Sequence, residues 1–141
     1  MNDSGRASIL VVEDEDLVSA MIRDVLAAEG FEVHVAADGA AGLAAYEAQR
    51  PDCIVLDLAM PLLDGLIVLE AIRQRDPTTQ ILVLSAHASP KQRASLLESG
   101  ADDFLPKPFD IEELIARVRR RVFTARQLRG ASEPTGSSPT S

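Results

Sequence analysis

The fold of this chain is decided by the stretch Cys53-Ile54-Val55-Leu56-Asp57-Leu58-Ala59-Met60-Pro61-Leu62-Leu63-Asp64-Gly65. A short apolar run followed by turn residues is typical of a strand that is buried on both faces, as in a parallel sheet. Asp57 ends the run, and Pro61 stops extended structure soon after it. A carboxylate stays charged at such a position only if it faces water, a metal or a cation. Because ligands bind at the carboxyl ends of strands in open α/β sheets, the partners of Asp57 should lie at that edge.

Length and composition predict one globular domain. The chain has 141 residues, of which 46% are hydrophobic and 26% are charged. Its net charge of −8 argues against binding of nucleic acid or of an anionic membrane. Because no apolar run is long enough for a bilayer and no signal peptide precedes the first strand, we expect a cytoplasmic protein. The single cysteine, Cys53, lies in an apolar run and should be a buried structural thiol.

Apolar periodicity and turn residues predict five strands that alternate with five helices. The predicted strands cover residues 8–12, 31–36, 53–57, 81–84 and 102–106. The first helix has an apolar stripe of Leu17, Ala20, Met21, Val25 and Leu26, and the later helices cover 40–49, 65–75, 90–99 and a segment from residue 111. In that last helix the predicted inward residues are Ile111, Leu114, Ile115, Val118 and Val122. This alternation indicates an α/β fold: a doubly wound parallel sheet with helices on both faces.

The domain organisation predicted from composition is one folded domain over residues 7–125. From Gly130 onward the chain is rich in Ser, Gly, Pro and Thr and has no periodicity. Such composition is typical of a flexible linker or tail. We therefore expect residues 126–141 to form a flexible tail.

Polar side chains follow four of the five predicted strands at their carboxyl ends: Glu13 and Asp14, Asp57, Ser85, and Lys107. Three carboxylates in one cleft raise each other's pKa unless a cation lies between them. Mg²⁺ prefers oxygen ligands and binds one or two protein carboxylates together with a phosphate. A lysine ammonium and a hydroxyl both stabilise phosphoryl oxygens. The set therefore predicts a site where an aspartate receives a phosphoryl group, with Mg²⁺ as the cofactor.

These residues lie in motifs that resemble the receiver domains of bacterial two-component response regulators. The resemblance covers about residues 9–123, and its motifs are Val-Val-Glu-Asp-Glu after the first strand, residues 57–65, Ser85-Ala86, residues 100–104 and Lys107-Pro108-Phe109. It implies a flavodoxin-like (CheY-like) fold with five strands in the order 2-1-3-4-5 and five helices. It also implies a non-enzymatic phosphoprotein that takes its phosphoryl group from a sensor histidine kinase and controls an effector, most often transcriptional.

The resemblance assigns a role to each residue of the predicted site. Asp57 would be the phosphoacceptor, and Asp14 and Asp57 would bind Mg²⁺ through their side chains. Ala59 would bind the metal through its backbone carbonyl, and Glu13 through a water molecule. Lys107 would pair with the phosphoryl group, and its bond to Pro108 would be cis.

Two further residues would form the switch of such a domain, namely Ser85 and Phe104. The Ser85 hydroxyl would move onto a phosphoryl oxygen, and the aromatic ring of Phe104 would turn inward. Many relatives have tyrosine at the position of Phe104, so the switch of this chain lacks a phenolic hydroxyl.

Two other functions fit part of the pattern. A phosphatase of the haloacid-dehalogenase type also uses Asp, Lys, Ser or Thr and Mg²⁺, but it has a second acid two residues after the nucleophile. This chain has Ala59 there, so the general acid is missing. An interaction module that has lost phosphorylation is the third reading, although all acceptor-site positions are filled. Phosphate release from a small ester would favour the phosphatase, and absence of Mg²⁺-dependent labelling would favour the interaction module.

Charges on the fourth helix, the fifth strand and the fifth helix resemble those of winged-helix (OmpR/PhoB-type) regulators, which dimerise through this face when phosphorylated. An isologous interface needs such a self-complementary mixture of signs. By this resemblance a phosphorylation-dependent homodimer would pair residues across a two-fold axis as Arg93 with Glu113, Glu98 with Arg119, and Asp103 with Arg117.

Overall fold

One parallel sheet with the strand order β2-β1-β3-β4-β5 forms the centre of the fold in the computed structural model, which describes residues 5–58, 64–86 and 89–132. The strands are β1 (Ser8–Val12), β2 (Glu32–Ala36), β3 (Cys53–Asp57), β4 (Gln80–Ser85) and β5 (Asp103–Pro106). The order reverses at β1, so β1 and β3 are neighbours at the switch point where such sheets bind ligands. The predicted doubly wound fold and its strand order are confirmed.

The helices cover both faces of this sheet. They are α1 (Asp16–Ala28), α2 (Gly39–Gln49), α3 (Asp64–Arg75), α4 (Pro90–Glu98) and α5 (Ile111–Ser132). Helices α2 and α3 supply Tyr46 and Leu69 to one core layer, whereas α1 and α5 supply Ile22 and Val118 to the other. None of the helices within the described residues combines the length and the apolar character needed to cross a membrane.

Side chains alternate between the two core layers along each central strand. In β1, Leu10 and Val12 belong to the layer under α2 and α3, and Ile9 and Val11 belong to the layer under α1 and α5. Because both faces of the sheet are covered, the strands are continuous apolar runs rather than alternating ones. Cys53 belongs to the α1/α5 layer, and burial raises the pKa of its thiol. This environment agrees with the structural thiol predicted from the sequence.

The apolar stripe predicted for α1 differs from the face that the helix buries. Leu17 is 87% exposed and Met21 is 38% exposed, whereas Ser19, Ile22 and Leu26 are buried. The Ser19 hydroxyl donates a hydrogen bond to the carbonyl of Asp16, so this polar side chain is satisfied inside the helix. The buried face of α1 therefore includes Ser19 and excludes Leu17. It lies on a different side of the helix from the stripe that periodicity predicts.

Helix α5 continues to Ser132, seven residues beyond the predicted domain boundary at residue 125, and Ala125 is completely buried. In this extension Arg126 and Arg129 pair with the buried carboxylate of Asp52. Residues 133–141 of the predicted tail lie outside the described residues.

At the amino edge of the sheet, Arg73 joins α3 to the loop before β5. Its Nε donates to the carbonyl of Gly100 over 3.0 Å, its Nη1 donates to the carbonyl of Asp76 over 2.9 Å, and its Nη2 pairs with Asp102 Oδ2 at 2.5 Å. Gly100 has φ of +120°, and a Cβ at this position would lie 2.8 Å from Arg73 Cγ. Only glycine therefore fits both the backbone conformation and the close approach of the arginine.

Candidate functional site

The register of the sheet brings the predicted site residues to one edge. Val12 of β1 pairs with Leu56 of β3, so Glu13 and Asp57 are the next residues along these two strands. At the other side of β4, the backbone N–H of Lys107 donates to the carbonyl of Ser85 over 2.9 Å. Because all the strands are parallel, each of them ends at this carboxyl edge. The structure therefore assembles the predicted group of side chains.

Three carboxylates form the acidic part of the site. Each of Glu13, Asp14 and Asp57 offers an oxygen, and these oxygens all lie within 4.8 Å of one another. Asp57 is only 1% exposed and Glu13 only 2%, whereas Asp14 is exposed. Glu13 Oε2 accepts a hydrogen bond from the backbone N–H of Glu15, but Glu13 Oε1 is buried with no hydrogen-bond partner in the described part of the chain.

The environment of Glu13 favours its protonated form. Burial, followed by the interaction with the Asp57 carboxyl group, raises the pKa of Glu13 from 4.5 to about 8. Carboxylates that share a buried space without a cation hold a proton in this way. Repulsion between the acids was predicted from the sequence, but burial makes the larger contribution to the shift.

Lys107 supplies a positive charge on the opposite side of Asp57. Its Nζ pairs with Asp57 Oδ2 at 2.8 Å, and the lysine side chain is 24% exposed. The peptide bond between Lys107 and Pro108 is cis, as predicted. One ammonium group balances only part of the charge that three ionised carboxylates carry. The remaining negative charge favours the binding of a further cation.

The residues present fit a Mg²⁺ ion. Two buried carboxylates and one exposed carboxylate provide hard oxygen ligands, and the unpartnered Glu13 Oε1 is a buried acceptor that an ion or its water could satisfy. Of the predicted ligands, the carbonyl of Ala59 lies outside the described residues.

The two predicted switch residues lie on the α4 side of the site. Ser85 is buried at the end of β4, where it lines a groove of about 260 Å³ between the sheet and α4. The other residues that line this groove are Leu58, Leu66, Gln92, Ser95 and Leu96. No single-sequence signal identifies them, because they come from the turn after β3, from α3 and from α4.

Phe104 is already buried, with 5% of its surface exposed, and it packs in the core layer under α2 and α3. The guanidinium carbon of Arg93 lies 5.1 Å from the centroid of the ring, a cation–π contact that joins α4 to β5. The Phe104 ring is thus buried in this structure. The sequence analysis did not identify the contact with Arg93.

Several of the charges predicted to pair between two copies have partners within one chain. Arg117 Nη1 pairs with Asp103 at 2.7 Å, and Arg117 Nη2 pairs with Glu113 at 2.9 Å. Arg119 pairs with Glu29, the residue that follows α1. Asp103 and Arg117 are therefore close enough to pair without a second copy.

Comparison with known proteins decides the family. The family model described as response regulator receiver domain matches residues 9–119. The chain belongs to this family.

Curated relatives place the receiver domain among response regulators. It is 47% identical over 129 residues to the transcriptional regulatory protein PrrA of Mycobacterium tuberculosis, an alignment that covers 87% of this chain and 55% of PrrA. It is 46% identical over 111 residues to the response regulator MprA of Mycolicibacterium vanbaalenii, covering 79% of this chain and 48% of MprA. The chain thus spans about half the length of these relatives.

Solved structures show the same domain. The receiver domain of the Francisella response regulator 1452 has 35% sequence identity and a TM-score of 0.79, covering 84% of this chain and 98% of that one. The chemotaxis protein CheY4 of Vibrio cholerae has 33% identity and a TM-score of 0.78, covering 82% and 98%. This receiver domain is accordingly a phosphoacceptor signalling domain of a two-component system, and the predicted resemblance is confirmed.

Proposed function

We propose that Asp57 is the phosphoacceptor of this receiver domain and that a sensor histidine kinase in the cytoplasm is the phosphodonor. The observation that carries the proposal is the position of the Asp57 carboxylate, which is paired with Lys107 on one side and clustered with Glu13 and Asp14 on the other. Asp52, a second buried acid next to the same strand, has no such cluster around it in the described residues.

In the proposed reaction a carboxylate oxygen of Asp57 attacks the phosphorus of a phosphohistidine. The new P–O bond forms as the P–N bond breaks, and the histidine nitrogen keeps the electron pair and takes up a proton. Asp14 and Asp57 would hold Mg²⁺ with the carbonyl of Ala59, and Glu13 through water. When bound, this ion supplies positive charge for the phosphoryl oxygens.

Two residues of this chain would stabilise the phosphoryl group once it is attached. The Lys107 ammonium already lies 2.8 Å from an Asp57 oxygen, so it needs little movement to contact a phosphoryl oxygen. The Ser85 hydroxyl can donate a hydrogen bond to another oxygen from the α4 side. Recruitment of Ser85 would link the chemistry at Asp57 to the α4 groove and to Phe104.

The experiment that tests this assignment is modification of the chain by an acyl-phosphate donor or by beryllofluoride, with and without Mg²⁺. Intact mass should rise by one phosphoryl group only when Mg²⁺ is present, and Asp57→Asn should abolish the rise. Asp52→Asn is the matched control, because it changes the buried acid at the other end of β3 and should retain labelling. Undiminished labelling of Asp57→Asn at another residue would reject Asp57 as the acceptor.

We also propose that phosphorylation controls dimerisation through the face formed by α4, β5 and α5, and that the output of this signalling is transcriptional. The face carries the predicted self-complementary charges on Arg93, Glu98, Asp103, Glu113, Arg117 and Arg119. The PrrA relative is named a transcriptional regulatory protein, which supports a transcriptional output. Because Arg117 already pairs with Asp103 and Glu113 within one chain, dimerisation would require some of these ion pairs to exchange partners.

Sedimentation with and without beryllofluoride tests the dimer. We expect beryllofluoride to shift a monomer–dimer equilibrium toward dimer and high salt to weaken it. Arg117→Glu should weaken the dimer about tenfold, because it replaces attraction by repulsion across the interface. Arg120→Glu, an exposed arginine of the same helix outside the predicted pairs, should have little effect. A monomer that is unchanged by beryllofluoride at high protein concentration would reject the dimer while leaving Asp57 labelling intact.

A further inference from the structure

The last turns of α5, residues 126–132, lie across the amino edge of the sheet, opposite the phosphoacceptor edge. We name this segment the α5 strap. Two of its arginines reach back to the start of the sheet: Arg126 Nη1 donates to the carbonyl of Gly5 over 3.2 Å, and Arg129 Nη2 donates to the carbonyl of Pro51 over 3.3 Å. Both arginines also pair with Asp52, at 3.4 Å for Arg126 and 2.6 Å for Arg129. The strap is therefore held by two hydrogen bonds to backbone carbonyls and by two ion pairs that share the carboxylate of Asp52.

Asp52 is fixed by the sheet whether or not the strap is docked. Its carboxylate Oδ2 accepts a hydrogen bond from the backbone N–H of Ser8 over 2.9 Å. Its own N–H donates to the carbonyl of Ser8 over 2.8 Å, and its carbonyl accepts from Gln80 over 3.3 Å. The side chain is only 5% exposed, whereas those of Arg126 and Arg129 are 46% and 41% exposed. If the strap lifted, a buried carboxylate would stay in place without these two cations, which is unfavourable.

Apolar packing contributes little to the docking of the strap. Leu128 is its one large apolar residue, and 40% of its surface is exposed. Gly130 lowers the helix propensity of the segment. By contrast, Ala125, immediately before the strap, is completely buried. The hydrophobic anchoring of α5 thus ends at Ala125, and the arginine contacts hold the helix beyond it.

The strap separates two clefts at this edge of the domain. One cleft of about 810 Å³ is lined by Ser8, Glu32 and His34, and the other, of about 720 Å³, by Phe31 and Phe123. Arg126 and Gly130 line both clefts. Lifting of the strap would join the two clefts.

From these contacts we infer that the α5 strap is an electrostatic latch: Asp52 holds residues 126–132 across the amino edge, and loss of its pairing releases them as one unit. The inference does not depend on phosphorylation of Asp57. It makes residues 126–132, the first part of the predicted tail, a docked segment whose order is set by one buried acid. Because the arginines are partly exposed, rising salt should weaken the latch.

Hydrogen exchange of the full chain, read by mass spectrometry, tests the latch. In wild-type protein at low salt the amides of residues 126–130 should be protected, and their exchange should become about tenfold faster at 1 M salt. Asp52→Asn should give about the same tenfold increase at low salt and remove most of the salt effect. The matched control is Glu29→Gln, which removes the ion-pair partner of Arg119, an arginine that lies earlier in α5. This substitution should leave the strap protected.

Protection at Leu114 and Val118, deep in the core, separates release of the strap from global unfolding. If Asp52→Asn unfolds the whole domain, the salt titration of the wild-type protein still decides the question. Strap amides that exchange at the rate of an unstructured peptide in wild-type protein would overturn the inference. So would protection that neither salt nor Asp52→Asn changes while α5 remains folded.

Discussion

Two buried aspartates flank strand β3, and the difference between them separates a reactive carboxylate from a structural one. Asp52, at the amino edge, has two arginines and a backbone N–H as partners. Asp57, at the carboxyl edge, has Lys107 as its cation and shares its space with two further acids. The amino-edge charge is compensated by the protein itself. The carboxyl-edge charge is only partly compensated, and this makes the edge suitable for a metal ion and a phosphoryl group.

The amino edge shows the same compensation at other acids. Asp76 accepts hydrogen bonds from the hydroxyls and N–H groups of Thr78 and Thr79 and from the hydroxyl of Tyr46. Although burial opposes it, the bonds from Thr79 and Thr78 lower the pKa of Asp76. At the carboxyl edge, burial and a neighbouring acid raise the pKa of Glu13. The pKa of Asp76 is thus lowered by its hydrogen-bond donors, whereas the pKa of Glu13 is raised by burial next to another acid.

The largest effect is expected where the carboxyl edge loses its cation. Lys107→Ala should slow phosphorylation of Asp57 roughly a hundredfold, since removing one positioned donor in a reactive site has effects of this order. Metal binding should persist. The measurement is the rate of labelling by an acyl-phosphate donor at saturating Mg²⁺. Lys91→Ala removes an exposed lysine of α4 and serves as the control. A wild-type labelling rate in Lys107→Ala would show that the positive charge next to Asp57 does not contribute to its phosphorylation.

At the amino edge the corresponding change should affect stability rather than labelling. Arg73→Ala removes the contacts to Gly100, Asp76 and Asp102 and should lower the free energy of unfolding by about 2 kcal/mol, as measured with urea. Arg75→Ala breaks a more exposed pair with Glu47 and should change it by less than about 0.5 kcal/mol. Equal effects of the two substitutions would contradict a special role for Arg73.

The pH dependence of the stability of the metal-free protein tests the raised pKa of Glu13 at the carboxyl edge. Glu13 has a folded pKa of about 8 against 4.5 unfolded, so between these values the folded state binds more protons. Its contribution to stability is therefore complete below about pH 4.5 and is lost as pH rises through 8. Between pH 5 and 8, wild type should lose roughly 3 kcal/mol relative to Glu13→Gln in urea unfolding. Parallel pH curves for the two proteins would exclude a raised pKa at Glu13.

The smallest effect is expected at the α4 groove. Ser85→Ala should still accept a phosphoryl group, but the chemical-shift change at Phe104 on phosphorylation should shrink, because one hydrogen bond of about 1 kcal/mol is missing. Ser95→Ala removes another hydroxyl of the same groove and is the matched control. A full wild-type response at Phe104 in phosphorylated Ser85→Ala would separate Ser85 from the switch.

The sequence predicted the carboxyl edge better than the amino edge for a physical reason. Buried strands are visible as apolar runs, and the residue that ends each run must lie at a common edge, so Glu13, Asp57 and Lys107 could be placed together. No such rule links Asp52 to Arg126, which are 74 residues apart and not at corresponding positions of neighbouring strands. The contact of Arg93 with Phe104 is invisible for the same reason, because it depends on side-chain packing between α4 and β5.

Predictions from composition and periodicity differ from the structure where contacts between distant residues outweigh the local preference for helix or coil. The residues from 126 onward are mostly polar and include Gly130, yet the helix continues to Ser132, and two arginines of this extension pair with Asp52. In α1, periodicity placed Leu17 and Met21 on the apolar stripe, but the sheet beneath the helix determined which side is buried. Segment type could be predicted from local sequence, whereas helix ends and buried faces depended on distant residues.

The strand order has a consequence for the nascent chain. Strands β2, β1 and β3 are neighbours in the sheet and are also the first three to be synthesised. The ribosome therefore synthesises the strands that carry Glu13, Asp14 and Asp57 before it reaches Lys107, which follows Asp57 by 50 residues. Until the domain folds, these acids are separate side chains in contact with water. The three carboxylates come together only in the complete fold, in which Lys107 is already present to balance part of their charge.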